Sequence, residues 1–180
     1  MALRYEWLLP AALAGAAAPV AQIAYATEYL TVEAAQKALF PDATAFEVVR
    51  VPAEARAAVV QEAGRFAGEP RVFRARQGDR VLGWFIVDEV IGKVELITYA
   101  LALDPSGAVK GLEIMAYRET HGDAIRLAAW RAQFVGKHAA DPVQLDSDIR
   151  NISGATLSCR HVTEGVHRLL LLYERALAHG

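Results

Sequence analysis

Cysteine occurs once in the 180 residues, as Cys159, so no disulfide framework can form within the chain and its stability must come from packing. Cys159 also lies too far from the N-terminus to be a lipoprotein acyl site. Charge of one sign is missing as well. Nineteen Lys and Arg stand against twenty-one Asp and Glu, a net charge of -2, so no field exists to hold a polyphosphate chain and no nucleic acid is expected as partner. The five histidines have no metal-ligand spacing and no Cys-x-x-Cys-His occurs, which removes metal and haem from the expected cofactors. There is no internal repeat, and the only low-complexity stretch is the Ala-rich beginning. Apolar residues are abundant, at 54%, enough for the core of a single domain.

The chain begins with one positive charge at Arg4, an apolar run over 7–20, and the small-residue triplet Ala24-Tyr25-Ala26. That order reads as a secretory signal peptide over 1–26: a short polar start, a greasy stretch too short to span a bilayer, and small residues before a cleavage point after Ala26. Glu6, Pro10 and Pro19 are unusual there, and a buried helix or a retained anchor is the other reading. On the first reading the mature chain starts at Thr27 in an extracytoplasmic, periplasm-like compartment.

Past the leader the residues alternate between short helical and strand patterns. A helix is expected over 32–40, ended by Pro41, then a strand over 46–51. Pro52 at a first helical position opens an Ala-rich helix to about Ala63, closed by Gly64. Four strands are expected over 72–75, 81–87, 94–103 and 109–117, the first two joined by Gln77-Gly78-Asp79-Arg80. Asp104-Pro105-Ser106-Gly107 has the residue order of a type I turn, so a meander of antiparallel strands follows. In the last strand Leu112, Ile114 and Ala116 alternate with Gly111, Glu113 and Met115, which predicts one buried face. Helical character returns over 124–134, a polar stretch fills 137–151, and a final helix starts near Thr156 with Val162, Val166, Leu169, Leu170, Tyr173 and Leu177 on one stripe. The expected class is α+β, a mainly antiparallel sheet with packed helices. The segment 27–71 is read as part of the same domain as 72–180.

Chemistry concentrates where the polar stretch enters the last helix, at Ser153-Gly154-Ala155-Thr156. The first turn of a helix exposes amides without partners, the helix dipole favours negative charge, and Gly154 allows close approach, so a phosphate fits. Ser and Thr are also the preferred helix caps, and on local physics alone a cap is the simpler explanation.

Ser153-Gly154-Ala155-Thr156 followed by Leu157-Ser158 resembles the flavinylation motif of the FMN-binding domain family, which includes the flavin subunits of Rnf and sodium-pumping NADH:quinone oxidoreductase complexes. Upstream, Tyr117-Arg118-Glu119-Thr120-His121-Gly122-Asp123, then Trp130 and Phe134-Val135-Gly136-Lys137, is similar in order and spacing to the family's Glu-Thr-Pro-Gly segment and its following Phe-x-Gly-Lys. The resemblance covers roughly 72–170. It implies FMN joined by a phosphoester to Thr156, with Ser153, Gly154, Ala155, Leu157 and Ser158 around it and Glu119 and Thr120 as flavin contacts. Tyr117, Trp130 and Trp84 are candidates to pack beside the ring, although core packing is the commoner role of such residues. Two positions depart from the family pattern: Arg150 stands where the motif usually has Asp, with Asp148 the nearest acid, and His121 replaces the Pro.

The sequence holds no apparatus to activate a threonine hydroxyl toward a phosphoanhydride, so attachment requires a separate FAD-dependent flavin transferase. The resemblance thus implies an electron-transfer component rather than a stand-alone enzyme, with a membrane or periplasmic redox protein as partner. Two alternatives stay open on the sequence: a module holding FMN or another phosphate ligand noncovalently, and an assembly subunit without cofactor. Cys159, three residues after Thr156, reads as a small packed residue rather than a redox partner.

Overall fold

The computed structural model describes residues 27–119 and 121–178. The expected leader over 1–26 and the candidate contact Thr120 lie outside the described residues. In chain order the elements are β1 (Thr27–Glu28), α1 (Val32–Leu39), β2 (Ala45–Val49), α2 (Ala53–Ala63), β3 (Arg71–Gln77), β4 (Arg80–Ile91), β5 (Leu96–Leu103), β6 (Val109–Tyr117), α3 (Ala128–Arg131) and α4 (Thr156–Ala176). The strands form one sheet in the order β1-β6-β5-β4-β3-β2, and every neighbouring pair is antiparallel. The expected α+β class is borne out.

Both faces of the sheet are covered, by helices of very different weight. On one face α1 lays Ala35 and Leu39 against Phe85, Val87, Ala100, Ala102 and Met115. Thr31 starts that helix, its hydroxyl accepting from the Ala34 amide at 3.2 Å. On the other face α4 buries Val162, Val166, Leu169, Leu170 and Leu172 completely, over Ile86, Ile97, Tyr99 and Leu101 of the central strands. On this side α2 packs against α4 and α3 packs against β6. The spacing of the apolar residues on α4 makes a stripe wide enough to cover a sheet, and at roughly 2 kcal/mol for each fully buried aliphatic side chain it is the heaviest contributor to the core.

Four details differ from the pattern reading. β4 does not end at Val87 but continues to Ile91, paired with β5 throughout. The acidic pair that reads as a strand end is accommodated by its neighbours: Tyr99 donates to Asp88 at 2.7 Å and Thr98 to Glu89 at 2.9 Å. β6 is buried on both faces, because Leu112 and Ile114 join the α4 core while Met115 joins the α1 core. The helix expected over 124–134 is broken into a 3-10 turn (Asp123–Arg126), the four residues of α3 and a second 3-10 turn (Ala132–Phe134). Leu127, at φ -56° and ψ 126°, leaves the helical region between them, and the bend seats Trp130 and Phe134 in the core. Pro52 is the extended cap before α2 rather than its first helical residue.

The Asp104-Pro105-Ser106-Gly107 turn forms as expected, Gly107 donating to the Asp104 carbonyl at 3.0 Å while the Asp104 carboxylate accepts from the amides of Ser106 and Ala108. Tyr173 of α4 donates to the Pro105 carbonyl at 2.8 Å, tying that turn to the far half of the helix. Among the described residues no helix is long and apolar enough to cross a membrane.

Candidate functional site

At the other end of α4 three segments distant in sequence meet: the β4–β5 loop, the chain leaving β6, and the turn entering α4. They enclose a cleft of 390 Å³ lined by Lys93, Glu119, His121, Gly154, Ala155, Thr156, Leu157 and Ser158. Its size falls in the range of small-molecule sites.

The helix end in this cleft is open. Ala155 occupies the cap position and offers no side-chain bond, so neither Ser153 nor Thr156 acts as the cap that local physics favours. Thr156 is the first helical residue, and the first amide of α4 seen to donate within the helix is that of Cys159, to Ala155 at 2.8 Å. Among the described residues the amides of Thr156, Leu157 and Ser158 have no acceptor, as expected for the first turn of a helix without a cap. Gly154 turns the chain into the helix at φ +83°, a conformation that disfavours a side chain, and a Cβ there would meet nothing within 4 Å. A phosphate group fits this end, with open amides, a positive dipole end and an unobstructed approach together.

The two hydroxyls that line the cleft are not equivalent. Thr156 is half-buried, and its Oγ1 accepts from Asn151 Nδ2 at 3.1 Å, which leaves its own proton free to be given up. Ser158 is 5% exposed, and its Oγ is engaged with the Tyr117 hydroxyl at 2.9 Å. Ser153 is exposed in the preceding turn and does not line the cleft. Leu157, 41% exposed, offers an apolar surface beside Thr156.

The chain leaving β6 is held against the helix end through Tyr117. Its hydroxyl donates to the His121 carbonyl at 2.5 Å as well as meeting Ser158. Gly122, at φ +99°, passes so close that a Cβ would lie 2.5 Å from the Tyr117 hydroxyl. Desolvation raises the Tyr117 phenol above its ordinary value, which keeps it a donor. Replacement of the family's Pro by His121 leaves this turn anchored by Tyr117 and places an exposed imidazole on the cleft.

Glu119 has a defined task. Its Oε1 accepts from the amides of Lys93, Val94 and Glu95 at 2.5, 2.7 and 2.9 Å, a nest of three donors on one oxygen. Partial desolvation pushes this carboxyl up, and the amides of Glu95, Val94 and Lys93 outweigh it, leaving it below the ordinary carboxylate range. The β4–β5 loop is also tied to α4, where His161 Nδ1 meets the Gly92 carbonyl at 2.9 Å. Lys93, Asn151 and His161 are site residues that the sequence patterns did not single out.

The aromatic candidates divide. Tyr117 and Trp130 are core residues close to the site, Trp130 donating to the Arg150 carbonyl at 2.8 Å. Trp84 is elsewhere: it packs edge-on to Tyr173 with ring centroids 6.4 Å apart, and Tyr173 is roughly 25 Å along the helix from Thr156 at 1.5 Å per residue. Cys159 is fully buried, and desolvation raises its thiol above the ordinary value, as for an inert core residue.

The departure at Arg150 also has a structural setting. Its amide donates to Gln133 Oε1 at 2.8 Å and its carbonyl accepts from Trp130, so the backbone fixes this position. Asp148 does not face Thr156. It accepts from Lys137 Nζ at 2.7 Å and from the amides of Val143 and Gln144, organising the loop before the motif.

Residues 92–171 match the FMN-binding domain family, and the resemblance read from the motifs at 117–123 and 153–158 is thereby borne out. The matched segment contains every residue that lines the cleft, so the family match and the site fall on the same part of the chain. Over 155 residues the chain is 25% identical to a subunit of the Na(+)-translocating ferredoxin:NAD(+) oxidoreductase complex of Acetobacterium woodii, an alignment covering 78% of this chain and 72% of that protein.

Proposed function

We propose that this protein is exported and carries FMN as a phosphoester on Thr156, relaying electrons to or from a redox protein held at a membrane. The observation that carries the reading is the Thr156 hydroxyl, half-buried and free to lose its proton, at an uncapped helix end inside a cleft. The similar protein from Acetobacterium woodii is named as a subunit of an oxidoreductase complex, which supports the redox role and a multi-subunit partner.

Attachment follows the chemistry of the hydroxyl. An FAD-dependent flavin transferase supplies the base and the activated donor: Thr156 Oγ1 attacks the phosphorus on the flavin side of the FAD pyrophosphate, the new O–P bond forms, and AMP leaves with the broken bridge oxygen. The hydroxyl proton goes to the transferase. The open α4 amides would hold the phosphate, with Asn151, which donates to Thr156 Oγ1, and the apolar Leu157 beside it. Bound there, the isoalloxazine ring supplies the electron chemistry, while the chain fixes its place. Ser158 is not the attachment point in this reading, because its hydroxyl is buried on Tyr117.

The test is in-gel flavin fluorescence after denaturing electrophoresis of protein made with an active transferase. A fluorescent band that vanishes in Thr156→Ala and persists in Ser158→Ala is expected. A colourless wild-type protein, or flavin released entirely by acid precipitation, overturns the covalent claim. Export is checked by N-terminal sequencing of the mature protein, which should begin at Thr27.

A further inference from the structure

The loop joining β4 to β5 is held more tightly than its exposure suggests. Lys93, Val94 and Glu95 are exposed, yet their three amides converge on Glu119 Oε1 and the Gly92 amide closes onto the Glu95 carbonyl at 2.7 Å. Gly92 itself is buried, and a Cβ on it would lie 2.7 Å from that same Glu119 oxygen. From the other side His161 of α4 meets the Gly92 carbonyl. So many bonds on a four-residue loop are unexplained by stability alone, since a short hairpin loop needs only its turn. What they do is fix the backbone of Lys93, which brings a cationic side chain to the lining of the cleft. The other charged or chargeable side chains lining it are Glu119 and His121.

We propose that Lys93 is the electrostatic partner of the flavin ring and that Glu119 is its positioning residue, a role resting on the FMN reading above. The α4 amides already meet the phosphate charge, so the ammonium is left for charge that appears elsewhere in the cleft. A ring that takes two electrons and one proton from a redox partner carries one more negative charge than the oxidised ring. A fixed cation beside it favours the reduced form and raises the midpoint potential.

Redox titration of the flavin-loaded protein tests this, followed by visible absorbance. Lys93→Gln should shift the reduced-to-oxidised ratio at fixed potential about tenfold toward oxidised, the order expected for one unit charge, or ~30 mV for a two-electron couple. The same substitution should keep its full effect in a Glu119→Gln background, where the amide oxygen still accepts from the loop. In Glu119→Ala, which frees the loop, it should lose more than half of it. Hydrogen exchange on protein without flavin gives an independent readout: the amides of 93–95 should be protected in wild type and Glu119→Gln and exposed in Glu119→Ala. A reduced-to-oxidised ratio at fixed potential within twofold of wild type in Lys93→Gln, with flavin still on Thr156, overturns the role of Lys93. Unprotected amides in the wild type overturn the positioning role of Glu119. A wild-type protein that takes no flavin fails at the earlier reading, and the gel separates that outcome from the others.

Discussion

The two ends of α4 are built on opposite principles. The C-terminal two-thirds is packed into the core and tied to its neighbours: Leu169, Leu170 and Leu172 are 0% exposed, Tyr173 donates to Pro105, and Arg175 pairs with Glu62 of α2. The N-terminal turn has an alanine at its cap, three amides without acceptors among the described residues, and a half-exposed threonine. One helix therefore divides stability from function along its length. The body holds the sheet together, and the open end is left uncompensated for a ligand to satisfy.

Substitutions can break that division, and the largest effect is expected in the body. Leu169→Ala should lower the unfolding free energy by about 3 kcal/mol in urea titration, through lost transfer energy and a cavity. Flavin on Thr156 should remain at low temperature. An equal loss of fluorescence and stability would mean that the two ends are not separable.

Asp88 sharpens the comparison because it is a flaw within the dry region. It is 2% exposed, its Oδ1 has no partner among the described residues, and the Arg168 Nε above it is likewise unpaired. Desolvation raises its carboxyl to about 6, against the smaller pulls of the Tyr99 hydroxyl, the Glu89 amide and Arg168. The folded chain thus binds this proton more tightly than the unfolded one. The contribution of Asp88 to stability is therefore greatest below the unfolded value of 3.8, declines between there and about 6, and levels off above it, the full penalty being present at pH 8. Asp88→Asn should stabilise the protein by about 1–2 kcal/mol at pH 8 and by little at pH 4, read from denaturation at the two pH values. A gain of the same size at both would show that charge burial is not the cause.

Smaller again is Tyr173→Phe, which removes one hydrogen bond to the Pro105 carbonyl and should cost about 1 kcal/mol with no change in flavin content. Smallest is Thr156→Ala. It should abolish the fluorescent band while moving the unfolding free energy by no more than about 0.5 kcal/mol, since the hydroxyl's partner is the exposed Asn151. A loss near that of Leu169→Ala would assign Thr156 to the structural half of the helix.

Much of this arrangement was legible in the residues. The stripe from Val162 to Leu177 announced a long amphipathic helix, the Asp-Pro-Ser-Gly turn announced a hairpin, and the motif ending in Thr156 marked the helix entry. The misreadings share a physical cause, tertiary contacts that outweigh local pattern. Asp88-Glu89 looks like a strand end until Tyr99 and Thr98 arrive to bond it. The stretch 124–134 looks continuous until Trp130 and Phe134 have to reach the core. Lys93 was invisible for the same reason, since its place depends on Glu119, twenty-six residues away. Glu119 itself was found by resemblance, but its bonds to the loop amides could not be read from spacing.

The cleft's walls are joined by contacts spanning 26, 41 and 69 residues of chain, between Lys93 and Glu119, Tyr117 and Ser158, and Gly92 and His161. Such nonlocal links close late in folding, after the hairpins that bring them together. A cleft assembled this way is a timer: it exists only when the whole topology is in place. A modifying enzyme that acts on the finished cleft would then decorate mature molecules and pass over unfolded ones. On the proposed attachment to Thr156, the flavin would mark a chain that had folded.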